Sequence, residues 1–143
     1  RLVSDWSSDV CSSDLPVRGS VNSAGLDLFS AGTAIIEPQE LRLLSTNLKL
    51  MFPSETYGRI ATRSGLTLQN KLIIPTGTIG PDYRGVIKIM MMNLDTKKYS
   101  VNEGDRIAQL ICEKISFPQV KLCIGTPKQT NRGNNGFGST GTK

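Results

Sequence analysis

Histidine is absent from all 143 residues. That excludes Ser–His–Asp and Cys–His nucleophilic mechanisms and every histidine-ligated metal centre. Proton transfer is left to carboxylates, Lys, Tyr, Cys or a metal-bound water. Cysteine is scarce: Cys11, Cys112 and Cys123 make an odd count with no C-x-x-C spacing. Such usage excludes a disulfide framework or thiolate zinc site and reads as reduced intracellular thiols. Aromatic residues make up only 6%, and the single Trp is Trp6. No basic–aromatic platform for nucleic acid is visible, so nucleic acid is not an expected partner. No apolar run approaches the ~20 residues of a membrane span, so no membrane partner is expected either. No basic-then-apolar targeting order is visible, and the expected location is cytoplasmic or nuclear.

What is present is ordinary for one globular domain: 38% hydrophobic and 20% charged residues. A chain near this size buries about two-thirds of its unfolded surface and can carry a core. Residues 1–15, RLVSDWSSDVCSSDL, stand apart, with Ser-Asp pairs at Ser4, Ser8 and Ser13. A back-translation of Ser4–Leu15 resembles a common sequencing adapter. The segment is read as a foreign, disordered leader and set aside from fold reasoning. Lys and Arg number 17 against 12 Asp and Glu, a balance of +5. Without the leader's one Arg and three Asp, 16 basic and 9 acidic residues remain, or +7. An anionic partner suits this charge.

From residue 16 onward, short apolar–polar alternations are broken by turn residues. Leu41-Arg42-Leu43 and Asn47–Leu50 alternate, and Tyr57–Ala61, Val86–Met92 and Arg106–Ile115 are further strand candidates. Gly, Pro, Asn and Asp punctuate between them, as at Pro53-Ser54, Gly80-Pro81-Asp82 and Asn102–Asp105. Only Ser64–Asn70 suits a helix, with Ser64 placed to cap it. Many short strands at this spacing predict an all-β sandwich or barrel of jelly-roll type over residues 16–130. Residues 131–143, NRGNNGFGSTGTK, change character. Alone they read as a polar tail. The functional alternative is a mobile arm: its glycines let backbone approach phosphates, Ser and Thr donate, and Phe137 offers a stacking face.

Five segments stand in order along the chain: Ala24–Ala31 (AGLDLFSA), Gly58–Leu66 (GRIATRSGL), Gly77–Gly85 (GTIGPDYRG), Gly104–Leu110 (GDRIAQL) and Arg132–Gly141 (RGNNGFGSTG). Together they resemble the five motifs of the trimeric dUTPase family, the deoxyuridine triphosphate nucleotidohydrolases. The resemblance implies a jelly-roll-like β-barrel forming a homotrimer, with each active site between subunits. One chain supplies the third motif's hairpin, a neighbour supplies the second and fourth, and the C-terminal arm closes the site. The implied reaction is hydrolysis of dUTP to dUMP and pyrophosphate with Mg²⁺. No residue is expected to hold the metal directly, because magnesium leans on substrate phosphates and water.

By the same resemblance, Arg63, Ser64 and Gly65 contact phosphate oxygens, and Gln109 reaches a phosphate. Arg63 offers a charged planar fork and Ser64 a hydroxyl, which suit that task on physical grounds. Gly77, Thr78 and Ile79 read uracil through backbone groups, assisted by Lys88 on the returning strand. Tyr83 packs on the deoxyribose and excludes a 2′-hydroxyl. Asp27 orients an arginine or the metal's water shell. Arg132 clamps the terminal phosphate, Phe137 covers the base, and Gly138, Ser139 and Thr140 wrap the phosphates. Each has an ordinary alternative: a surface turn for Arg63, a strand-end ring for Tyr83, an exposed strand lysine for Lys88, a surface amide for Gln109.

The third motif departs from the family. Its general-base Asp is replaced by Gly80, while Tyr83 and Gly85 keep the register. Loss of a positioned base costs ~10²–10⁴-fold. Asp82 is the nearest carboxylate, though an Asp after Pro81 reads first as a turn former. The expected activity is therefore an impaired dUTP diphosphatase, against a non-catalytic dUTP-binding or regulatory relative, with a dCTP deaminase of related fold third. Thr62 stands where the family usually has Pro, which is expected to loosen the turn before Arg63. The family's first strand is replaced by the leader, which is expected to expose a sheet edge and weaken assembly.

Overall fold

In the computed structural model, residues 15–135 and the backbone of Val3–Ser4 are described. The strands in chain order are β1 (Val3–Ser4), β2 (Val17–Arg18), β3 (Leu26–Phe29), β4 (Ala34–Ile36), β5 (Leu41–Ser45), β6 (Leu50–Met51) and β7 (Thr56–Ala61). After the single helix α1 (Ser64–Asn70) come β8 (Leu72–Ile73), β9 (Thr78–Ile79), β10 (Lys88–Asn93), β11 (Tyr99–Val101) and β12 (Arg106–Lys114). The pairings form a five-stranded sheet β2-β3-β12-β7-β9, a three-stranded sheet β5-β10-β8, and the pairs β4–β11 and β1–β6. All are antiparallel. This is the all-β, jelly-roll-like architecture expected from the short alternating segments.

The alternation decides which face each strand buries. On β10, Ile89, Met91 and Asn93 point inward, while Met90 and Met92 point outward between Leu43 and Leu41 of β5. On β7 the inward positions are Gly58 and Ile60, and on β12 they include Ile107, Ala108 and Leu110. With Leu28, Ile36, Leu44, Leu48 and Leu72 these side chains form one core. Asn93 is buried without loss, because its amide nitrogen donates to the Ile36 and Lys97 carbonyls at 3.0 and 2.8 Å. Gly58 is required by packing: any Cβ there would overlap the Phe52 ring.

Helix α1 spans the expected residues, but Ser64 does not cap it. Arg63 takes the N-cap position with extended backbone (φ −83°, ψ 131°) and makes no side-chain cap bond. The Ser64 hydroxyl is thereby left off the backbone donors of the first turn. At the other end Lys71 adopts φ 53°, and its N–H closes the helix on the Leu66 and Thr67 carbonyls. Beyond β12 the chain forms no helix or strand through residue 135, and Val120, Leu122 and Ile124 are each at least 90% exposed. No helix among the described residues is long and apolar enough to cross a membrane.

Candidate active site

The site grows from one row across the five-stranded sheet. Gln109 of β12 lies directly opposite Asp27 of β3 on one side and Ala61 of β7 on the other. Residues opposite one another share a face, so the amide and the carboxylate emerge together. Gly25 permits this, since a Cβ at that position would overlap the Gln109 Oε1 atom. Gln109 Nε2 donates to the Thr62 carbonyl at 2.9 Å, fixing the turn that leads from β7 into α1.

Arg63 begins where that turn ends. Its Nε pairs with Asp27 Oδ1 at 3.1 Å, and its Nη1 donates to the Arg106 carbonyl at 3.1 Å. Arg106 Nη1 approaches the other Asp27 oxygen at 3.4 Å, and its guanidinium lies 5.8 Å from the Phe29 ring centroid. One largely buried carboxylate thus holds two guanidinium groups, and the local balance is one positive charge. Asp27, Arg63, Ser64, Gly65, Leu66, Gln69 and Gln109 line a cleft of about 290 Å³. One Arg63 N–H is committed to a protein acceptor and Nε faces Asp27 as an ion pair, which leaves the rest of the fork for an anion. A larger groove of about 710 Å³ over Ile35, Glu40, Arg42 and Ser100 contains none of the sequence-predicted site residues.

Thr62 does not loosen the turn. Its Oγ1 accepts the Ile74 N–H at 2.8 Å, a bond that proline could not make, and ties the turn to the chain entering the third motif. A second tie follows: Ile60 N–H donates to the Gly77 carbonyl at 2.7 Å. β9 continues from there, pairing Ile79 with Gly58 and Thr78 with Arg59. The third motif is nevertheless not a closed two-stranded hairpin. Lys88 opens β10, opposite Ser45 of β5, in a different sheet from Thr78 and Ile79. The chain reverses at Gly80–Tyr83, where the Tyr83 N–H donates to the Gly80 carbonyl at 3.1 Å. Tyr83 folds back, its hydroxyl donating to the Val86 carbonyl at 3.0 Å over Gly85, where a Cβ would overlap the ring.

Of the sequence-predicted residues, Asp27, Arg63, Ser64, Gly65 and Gln109 therefore meet in one cleft. Gly77, Thr78, Ile79, Gly80, Asp82, Tyr83 and Lys88 do not line it. Arg132 lies in the C-terminal segment, its Nε donating to the Asn135 carbonyl at 3.0 Å. Phe137, Gly138, Ser139 and Thr140 fall outside the described residues. Arg106 was not singled out by sequence reasoning, although its basic charge inside the fourth segment was visible. Among the described residues, no group of three or more Cys, Asp or Glu side chains could hold a metal ion.

The outward face of the same sheet carries a second polar cluster. The Tyr57 hydroxyl donates to Glu113 Oε2 at 2.5 Å, and Arg59 Nε pairs with Oε1 at 2.6 Å. These two bonds, Tyr57's foremost, hold the Glu113 carboxyl below its ordinary 4.5. The same bond to Glu113 pushes the Tyr57 hydroxyl up from 10.0. The Glu113 contribution to stability is therefore complete above about pH 4.5 and is lost as pH falls through the lower folded value. Tyr57's is complete below pH 10.0 and is lost at higher pH. Glu113→Gln is expected to flatten the acid side of a Tm-against-pH curve, measured by thermal denaturation. An acid limb identical to wild type would show that the cluster carries no pH-dependent stability.

Comparisons with known proteins follow the same lines. A family model described as dUTPase matches residues 12–141. The deoxyuridine 5'-triphosphate nucleotidohydrolase of Mus musculus is 45% identical over 126 residues, covering 88% of this chain and 77% of the relative. That of Fowlpox virus is 42% identical over 132 residues, covering 90% of each. The mitochondrial protein of Homo sapiens is 43% identical, and the match spans half of its length. Among solved structures, the Staphylococcus bacteriophage 80alpha dUTPase G164S mutant with dUpNHpp superposes with a TM-score of 0.90. It is 26% identical, with 99% of each chain covered. A mutant dUTPase from phage phi11 of S. aureus, described with a structural Mg(II) ion, gives 0.80 at 26% identity, covering 90% of this chain and 99% of that one. This chain belongs to the dUTPase family.

Proposed function

We propose that the protein is a dUTP diphosphatase, converting dUTP and water to dUMP and pyrophosphate, with Mg²⁺ arriving as the magnesium complex of the triphosphate. The observation that carries this reading is the cleft in which Asp27 presents Arg63 beside Ser64, Gly65 and Gln109. Arg63's fork, the Ser64 hydroxyl and the Gln109 amide are the donors that a polyphosphate's oxygens require. Family membership supplies the base and sugar: Gly77, Thr78 and Ile79 for uracil, and Tyr83 for deoxyribose. Arg132 and residues 137–140 complete the site as a closing arm; the leader is not wholly separate from the domain, since Val3–Ser4 pairs with Leu50–Met51 and the family match begins at residue 12.

The site is proposed to form between subunits of a homotrimer. The separation of the Gly77–Gly85 segment from the Arg63 cleft within one chain supports this reading. So do the outward Leu41 and Leu43 on β5, both more than half exposed, and the Val120–Ile124 alternation, whose apolar side chains are almost fully exposed among the described residues. Such apolar surface suits a neighbouring copy.

The test is pyrophosphate release from dUTP, dTTP, dCTP and UTP, with dUTP binding followed by calorimetry. Release from dUTP alone is expected, at a rate below that of a relative carrying an aspartate at the position of Gly80. Gly80 favours one second reading, a relative that binds dUTP without cleaving it. Tight binding with no release would select that reading, and ammonia release from dCTP would overturn both.

A further inference from the structure

We infer that the Asp82 carboxylate takes the proton-accepting place that Gly80 leaves empty, and acts as the general base of this chain. The inference rests on the diphosphatase reading above and adds to it the residue that activates water.

Three observations carry it. First, the turn at Gly80–Tyr83 folds Asp82 back on residue 80, closed by the 3.1 Å bond from the Tyr83 N–H to the Gly80 carbonyl. Pro81 at the second position of this turn fixes the backbone angle that the reversal needs. Second, a Cβ built on Gly80 would stand 2.9 Å from Asp82 Oδ1. In an aspartate the carboxylate oxygens lie about 2.4 Å from their own Cβ by ordinary covalent geometry. The Asp82 oxygen is therefore within roughly half an ångström of the radius that the carboxylate of an aspartate at 80 would reach. Third, Asp82 is exposed and is engaged in no hydrogen bond or ion pair with the described residues. Asp27, by contrast, is committed to Arg63 and Arg106. A free carboxylate beside Tyr83 is available to hold a water.

The step balances as follows. A water gives one proton to the Asp82 carboxylate while its oxygen bonds to the α-phosphorus of dUTP. The bond from that phosphorus to the α,β-bridging oxygen breaks, and its electron pair leaves with pyrophosphate. The proton then passes to solvent and restores the carboxylate.

The experiment compares wild type, Asp82→Asn, Gly80→Asp and the double variant Gly80→Asp/Asp82→Asn in single-turnover hydrolysis of Mg·dUTP, with Kd from calorimetry. Asp82→Asn is expected to lower the hydrolysis rate by at least about tenfold, toward the ~10²–10⁴ typical of a lost general base, with Kd within about threefold. The double variant is expected to regain or exceed the wild-type rate. Gly80 has no left-handed backbone angle, and its only near neighbour is the Asp82 oxygen that this substitution neutralises. Gly80→Asp alone is expected to gain less, because two carboxylates in contact do not both stay ionised at their ordinary cost.

An Asp82→Asn rate within twofold of wild type would overturn the assignment. So would a wild type that binds dUTP but releases no pyrophosphate, and so would a loss in Asp82→Asn that the double variant does not restore, which would mark Asp82 as a turn former. In all three cases dUTP binding survives. Failure of wild type to bind dUTP would instead remove the diphosphatase reading together with its base.

Discussion

Arg63→Ala is expected to lower kcat/KM for dUTP by about 10²–10³-fold, the cost of removing one preorganised charged donor from a phosphoryl site. The magnitude follows from how the side chain is held. Asp27 fixes Nε and the Arg106 carbonyl fixes Nη1, so the remaining donors are aimed before substrate arrives. Little of the loss should appear in stability. The Asp27 carboxylate keeps Arg106 as its partner, and a part-exposed ion pair contributes little. Arg63→Lys should not rescue, because a point charge cannot pair with Asp27 and reach a phosphate at once. Steady-state rates and dUTP Kd for both variants decide the matter. A rise in KM at constant kcat would mean that the contact is equal in ground and transition states. A change below about threefold in every constant would remove Arg63 from the phosphate site.

The sequence showed most of this cleft and little of what braces it. Arg63, Ser64, Gly65 and Gln109 sit in compact segments, and it was the resemblance of those segments to family motifs, not their local pattern alone, that singled them out. The legible strands are Leu41–Ser45, Thr56–Ala61, Lys88–Asn93 and Arg106–Lys114; of the expected Asn47–Leu50 strand only Leu50 falls in one, the two-residue Leu50–Met51. Ala34–Ile36 and Tyr99–Val101 pair with each other, but three residues carry too little period to read. Ser64 reads as a cap because its type suits one; the extended backbone at Arg63 moved the boundary by one residue.

The bracing contacts join residues far apart in sequence. Arg59 and Tyr57 meet Glu113 only because β7 and β12 are neighbours. Asp27 meets Arg106 only because β3 lies on the other side of β12. No spacing rule contains that information. Thr62 shows the converse. Judged against a proline it looked like a loss, yet its hydroxyl accepts a backbone N–H twelve residues on. Lys88 lies on the strand that returns from the third motif, but that strand pairs elsewhere. The chain returning from Gly85 looks like the second arm of a hairpin, but Ile89 and Met91 are drawn into the core, which commits β10 to β5.

Gly77→Ala is the second substitution with a large expected effect, and its cause is steric. A Cβ at this position would stand 2.8 Å from Ile60 Cβ and 3.0 Å from the Ile60 carbonyl carbon, with its oxygen closer still. Those atoms belong to Ile60 of β7, which is held against Leu110 of β12 and buried in the core, so they have little room to yield. The third motif must move instead. It would give up the Ile60–Gly77 hydrogen bond and the Ile79–Gly58 and Thr78–Arg59 pairings. Overpacking of this kind costs about 1–3 kcal/mol, or several degrees in Tm for a domain of this size. The functional loss should be selective. The backbone of Thr78 and Ile79 is proposed to read uracil, so preference for dUTP over dCTP is expected to fall about tenfold or more, since that preference depends on pairing buried polar groups. The cleft around Arg63 keeps its own braces through Asp27 and Gln109, so binding of inorganic triphosphate should change little. Thermal denaturation, nucleotide competition and triphosphate calorimetry on one preparation separate these effects. Loss of triphosphate binding along with dUTP preference would show that the two halves of the site are not independently held. An unchanged dUTP preference at lowered Tm would take the Gly77–Ile79 backbone out of base recognition.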